Sequence, residues 1–171
     1  MLALILAAVF LGLCLYAALH DVATLLIPNW LNALIAALFV PAAIASGLAL
    51  ETFGIHLAVA GGAFAVSVAL FYAGVWGGGD AKMLPAAMLW IGPAGVADFL
   101  IWMAYAGGAL CVLLLLARRA APVVAAGEGR IAALEPGAGA PYGVAIAAGA
   151  VAAAGSSPVL TQLLKQFSGL H

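Results

Sequence analysis

Two carboxylates and a lysine stand out from a chain that otherwise offers little chemistry. Only 6% of the 171 residues are charged, so an acid that ends an apolar run calls for a reason. Asp80 follows Gly77, Gly78 and Gly79 and precedes Ala81 and Lys82; Asp21 ends the first apolar run in a matching place. Acids at membrane depth are expensive enough that function is the default reading. Two carboxylates that face each other cannot both ionise easily and tend to share one proton. One can then act as base toward a water while the other donates to a substrate carbonyl. That is aspartyl protease chemistry, and it requires no nucleophilic Ser or Cys, no metal and no cofactor. The glycines would remove side chains where an extended peptide must approach the acid, and would permit unusual backbone angles. Lys82 could hold a negative charge or a substrate group.

Each piece has a plainer reading. A glycine-rich loop can be a turn, Asp21 can be the N-cap of a short helix extension, and Lys82 can be a snorkelling interfacial lysine. His20 reads as a surface residue and His56 falls at the opposite surface, so neither has a second ligand at metal spacing. The coincidence of the two acids favours the functional reading.

The elements that must position these acids follow from composition. With 68% hydrophobic residues and a mean hydropathy of +1.27, the chain cannot cover a water-facing surface. Lipid leaves only helices or closed barrels able to satisfy the backbone, and the apolar runs are continuous rather than alternating. The fold class is therefore all-α, a polytopic transmembrane helical bundle in contact with the lipid bilayer. A net charge of −1 without a basic cluster argues against nucleic acid as a partner. Cys14 and Cys111 lie in apolar segments and read as small hydrophobes, and no CxxC is present. The N-terminal run has no basic n-region and is longer than an h-region, so it reads as a retained helix rather than a signal peptide.

A span needs about 20 apolar residues. Six segments result: Met1–Leu19, Trp30–Leu50, His56–Trp76, a short fourth helix Ala81–Ile91, Val96–Ala117 and Pro141–Gly155. Asp21 to Asn29 is a connection or helix extension, Glu51 to Ile55 a turn, and Pro41 a kink. Trp30 and Trp76 serve as interfacial anchors. Gly61, Gly62 and Ala65 provide a small-residue face for close helix approach, and Gly92-Pro93 breaks the long run after Asp80. Asp98 reads as an acid near a helix N-terminus. Arg118 to Ala140 forms a polar loop carrying Arg119, Glu128, Arg130 and Glu135. Residues 156–171 form an interfacial or extended tail with Val159, Leu160, Leu163, Leu164 and Phe167 on one face and Thr161, Gln162, Lys165 and Gln166 on the other. If the short helix crosses, four of the five basic residues share one side. The positive-inside bias then places the N-terminus outside and both acids at the cytoplasmic surface.

Three stretches resemble the type IV prepilin peptidases, membrane aspartyl proteases with a GxGD signature, and most closely their short branch in tight-adherence (Flp-type) pilus systems. They are Asp21-Val22-Ala23-Thr24-Leu25-Leu26-Ile27-Pro28-Asn29, Gly77-Gly78-Gly79-Asp80-Ala81-Lys82 and Pro141-Tyr142-Gly143-Val144-Ala145-Ile146. The resemblance covers essentially the whole chain, residues 1–171, as one peptidase domain. It implies cleavage of the short basic leader from prepilin or pseudopilin substrates at the cytoplasmic face of the bacterial inner membrane, with pilus assembly machinery as a possible partner. It also implies Asp21 and Asp80 as the catalytic pair, with Gly77, Gly78, Gly79, Lys82 and Asn29 shaping the site or holding substrate. Long members of that family add a cytoplasmic methyltransferase domain with paired CxxC motifs between the first two spans; here only Val22–Asn29 separates them, which implies cleavage without methylation and without zinc. Two readings from other classes are a small ion- or proton-coupled transporter using the same acids, suggested by the Gly/Pro-interrupted fourth helix, and a non-catalytic assembly factor. The topology has its own test. A reporter fused within the Arg118–Ala140 loop should report the cytoplasm, and a signal from the other side overturns the assignment.

Overall fold

The computed structural model describes residues 2–120, 131–135 and 137–168. Among them all regular structure is helical: α1 (Leu2–Thr24), α2 (Asn29–Ser46), α3 (Leu50–Tyr72), α4 (Asp80–Ala120), α5 (Tyr142–Ala153) and α6 (Pro158–Ser168), with short 3-10 turns at Ala132–Leu134 and Ala154–Ser156. Four helices, Ile5–Thr24, Asn29–Ser46, Leu50–Tyr72 and Asp80–Arg119, are long and apolar enough to cross a membrane, and Tyr142–Ser156 is a shorter apolar helix. Many large apolar side chains point outward, among them Leu15, Ile44, Phe64, Val66 and Leu113, as a lipid-facing surface requires.

The helix ends differ from those read off the sequence. α1 continues through Asp21 to Thr24, so Asp21 lies inside the helix and is not a cap. The turn between α2 and α3 is Gly47–Ala49 rather than Glu51–Ile55. Gly47 adopts φ 70° and its N–H bonds Ile44 O while Leu48 N–H bonds Ala43 O, a glycine C-cap that ends the helix early. Glu51 then falls in the first turn of α3, where the helix dipole favours an acid. The same device at Gly74 (φ 71°) stops α3 at Tyr72 and leaves Trp76 in the following loop. α2 runs on through Pro41. Among the described residues no neighbouring helix lies within 4 Å of a Cβ built on Gly61 or Gly62, so these two glycines do not mediate a helix contact there.

The expected break at Gly92 is present and it reverses the chain. Gly92 has φ 68° and ψ −175° inside α4. The limb 80–91 runs from the acids to Trp90, which stacks on Phe10 at 4.4 Å. The limb 93–120 returns, because Phe99 meets Gly149 while Gly107 meets Ala145, antiparallel to α5. Twelve residues of helix span roughly 18 Å at about 1.5 Å per residue, short of a hydrocarbon core of about 30 Å. The reversal therefore sits inside the bundle, beside Phe39 and His56, where it exposes helix-end carbonyls. Two side chains satisfy them: His56 Nδ1–H donates to Leu89 O at 2.7 Å and the Ser157 hydroxyl donates to Trp90 O at 2.6 Å. His56 is thus fully buried, not at a surface, because a break 36 positions away needs its proton. Asp98, just beyond the reversal, accepts a hydrogen bond from the Ser156 hydroxyl.

Two remaining segments close the bundle. Arg118 donates to Ala133 O (2.7 Å) and Gly139 O (2.9 Å), tying the chain ahead of α5 to the end of α4; Glu128 and Arg130 lie outside the described residues. α6 is a separate helix that packs on α1 and α2, with Val159, Leu160 and Leu163 buried and Gln162 and Lys165 outward. The side chains of Leu164, Gln166 and Phe167 lie outside the described part.

Gly92→Ala supplies a stability test. Its Cβ would stand 2.2 Å from the His56 ring at a positive φ, so this substitution should destabilise the protein by about 1–3 kcal/mol. Thermal unfolding in detergent measures this, with Gly108→Ala, whose Cβ meets nothing, as the control. Equal midpoints for the two variants would overturn this account of the reversal.

Candidate active site

Asp80 is the first residue of α4 and is largely buried. The preceding Gly77 N–H donates to its Oδ2 at 3.3 Å, while Oδ1 is buried with no protein partner. Asp21, also buried, sits in the last turns of α1, and its Oδ2 accepts the Gly143 N–H at 2.8 Å. Gly143 lies in the first turn of α5. Both carboxylates therefore lie at helix N-termini, where unpaired N–H groups and the dipole favour an anion. Asp21 and Asp80 sit at the same end of the bundle, on either side of Ile27.

Ile27 holds the two acid-bearing segments at a set spacing. A Cβ on Gly79 would stand 2.9 Å from Ile27 Cβ, and one on Gly143 would stand 3.0 Å from Ile27 Cδ1 and 2.9 Å from Asp21 Oδ2. The loop that presents Ile27 is itself tied down. Leu25 adopts φ 55°, and the His20 ring bonds Leu26 O at 2.7 Å, so His20 shapes the turn. Across the site, Trp76 and Tyr142 pack with ring centroids 5.9 Å apart, each adjacent in sequence to a glycine that donates to an acid.

The glycine run is tighter than an open ledge. Gly79 is required by the approach of Ile27, and a Cβ on Gly77 would lie 3.0 Å from Asp80 Oδ2. Gly78 has only an ordinary contact with Phe71. None of the three has positive φ; that conformation belongs to Gly74. Lys82 and Asn29 meet on the outer side, with Nζ donating to Asn29 Oδ1 at 2.7 Å. Asn32, one turn further into α2, donates to Gly79 O at 3.2 Å.

Of the residues singled out from sequence, the fold thus gathers Asp21, Asp80, Gly77 and Gly79, and it pairs Lys82 with Asn29 beside them. The sequence alone gives no role to Gly143, Ile27, Asn32 or Tyr142, and places Trp76 only as an interfacial anchor. A signal existed for some: Gly143 and Ile27 lie inside the quoted motifs, and Asn32 is a polar residue in an apolar helix. Among the described residues no three His, Cys, Asp or Glu side chains gather as a metal would need.

A model of the type IV leader peptidase family matches residues 8–116, more than half of the chain and both acids. The chain belongs to the type IV leader peptidase family. No curated protein and no solved structure gives a significant match. The matched region of this peptidase ends before α5, so the Gly143 N–H that holds Asp21 comes from beyond it. Gly143→Ala should displace the Asp21 carboxylate and lower peptidase turnover about 10²-fold, the usual penalty for a misplacement near 1 Å, while the protein still inserts. Turnover at the wild-type rate would show that the contact does not set the acid's position.

Proposed function

We propose that this chain is an aspartic-type endopeptidase that removes the leader from type IV prepilin-like substrates of the Flp-pilus kind. It acts at the cytoplasmic face of the bacterial inner membrane. The observation that carries this reading is the meeting of Asp21 and Asp80 at one end of the bundle, each with one oxygen fixed by a backbone N–H.

Buried together, the pair shares one proton. The ionised carboxylate takes a proton from a water as the water oxygen bonds to the scissile carbonyl carbon. The protonated carboxylate gives its proton to the carbonyl oxygen. Collapse of the resulting diol breaks the C–N bond, and the proton gained from water passes to the leaving amine. Asp80 Oδ1 is buried and has no partner among the described residues, so a water or substrate atom that reaches it meets an unsatisfied acceptor. The connection between α1 and α2 is only residues 25–28, which supports cleavage without a methyltransferase domain inserted there. The whole chain then works as one peptidase domain, with Arg118 and Arg119 on the cytoplasmic side beside the machinery that assembles the processed pilin.

Asp21→Asn and Asp80→Asn should each lower cleavage of a co-expressed Flp-type prepilin by at least about 10²–10⁴-fold, the range a positioned acid or base supplies. Both variants should remain membrane-inserted. Gel mobility of the prepilin checks this, and full processing by Asp80→Asn refutes the assignment.

A further inference from the structure

The first limb of α4 has two faces. One carries Asp80 toward α1 and α5. The other carries Lys82, Pro85, Ala86 and Leu89 at helical spacing and forms the floor of a groove of about 520 Å³ between α2 and α3. These two helices are joined by a short turn yet hardly touch; α3 is held chiefly by α4. They meet at one end only, where Phe39 stacks on Phe53 (5.5 Å) and on His56 (5.4 Å). From that closed base the groove runs toward the acid end of the bundle, with Ala36 and Leu57 nearer the base and Asn29, Phe64 and Lys82 nearer the acids.

Leu57 and Phe64 of α3 line the groove, and the rest of its walls are small residues, Ala33 and Ala36 on α2 and Ala60 and Gly61 on α3. Such residues let a helix backbone approach closely, and a Cβ on Gly61 would meet nothing among the described residues. The mouth, by contrast, is polar: Asn29, Asn32 and Lys82 line it. Asn32 is 95% buried by its 5% exposure, and its Oδ1 has no donor. A helix end brings backbone N–H and C=O groups without intrahelical partners, which suits a mouth offering both donors and an unused acceptor. Lipid phosphate and ester oxygens only accept, so a lipid would meet Asn32 Oδ1 only through a headgroup ammonium or hydroxyl. From Asn29 to Phe39 the wall is about 15 Å long at about 1.5 Å per residue, three turns of a docked helix.

We propose that this groove seats the apolar helix of the membrane-embedded substrate, with the helix end at Asn29, Asn32 and Lys82. The inference rests on the peptidase reading above and adds the part of the protein that selects the substrate. The mouth is continuous with the catalytic loop through the Asn32–Gly79 O bond. An extended stretch of three or four residues, at about 3.3 Å each, then crosses the limb of α4, a helix roughly 10 Å wide, to reach the acids. The scissile bond accordingly lies a few residues ahead of the docked helix.

The test compares two substrates of the reconstituted full-length peptidase in phosphatidylethanolamine/phosphatidylglycerol liposomes. One is an intact Flp-type prepilin; the other is a short peptide with the same leader and cleavage bond but no apolar helix. Gly61→Leu fills the groove, and the ratio of kcat/KM for prepilin over peptide should fall about tenfold or more, as expected when one apolar group no longer fits its pocket. An unchanged ratio overturns the groove while leaving the peptidase reading intact. Cleavage of neither substrate by the wild type removes the peptidase reading and the groove with it. In an Asp80→Asn background, a photo-crosslinker replacing Ala36 should capture the apolar helix of the prepilin. Capture of lipid alone, with prepilin present, overturns the proposal.

Discussion

Inside lipid every backbone N–H and C=O must find a partner within the protein, because each unsatisfied group costs several kcal/mol. Helix interiors meet this demand automatically and helix ends do not. This protein has three helix ends to satisfy: the two sides of the Gly92 reversal, inside the bundle, and the start of α5, at the end where the acids lie. At the reversal the stranded carbonyls of Leu89 and Trp90 take protons from His56 and Ser157. At the start of α5, and in the loop entering α4, backbone N–H groups take carboxylate oxygens from Asp21 and Asp80. His56, Ser157, Asp21 and Asp80 thus answer one requirement, the pairing of backbone groups at helix ends.

The acids are spaced by an apolar wedge. Ile27 touches the loop of Asp80 on one side and the residue that holds Asp21 on the other, and both contacts are possible only because Gly79 and Gly143 have no side chains. The turn that presents Ile27 is braced by His20 and by Leu25 at positive φ. The turn is thus tied by its own hydrogen bonds where it approaches the two acids. The opposite side of the same α4 limb is unfilled between α2 and α3. One short helix therefore carries Asp80 on one face and an open apolar groove on the other.

Much of the architecture was legible from sequence because it depends on local quantities. The length of an apolar run against the thickness of a bilayer identifies helices; Gly92-Pro93 announces a break; an acid at the end of an apolar run announces a site. Helix ends were less legible. The boundaries of α2 and α3 are decided by Gly47 and Gly74, which take positive φ and cap their helices, and one glycine among many carries no mark of that choice.

What the amino-acid sequence determined by itself was the helical class, the break and the two carboxylates, since each follows from the solvent and from residues adjacent in the chain. Tertiary structure alone decided that Asp21 is held by a residue 122 positions away, that His56 is a buried donor to a carbonyl 33 positions on, and that the small-residue face of Gly61 looks into a groove instead of onto a helix. These are pairings between elements, fixed by which unsatisfied groups and which side-chain volumes meet when the helices pack. Neither quantity is written in any one stretch of the chain.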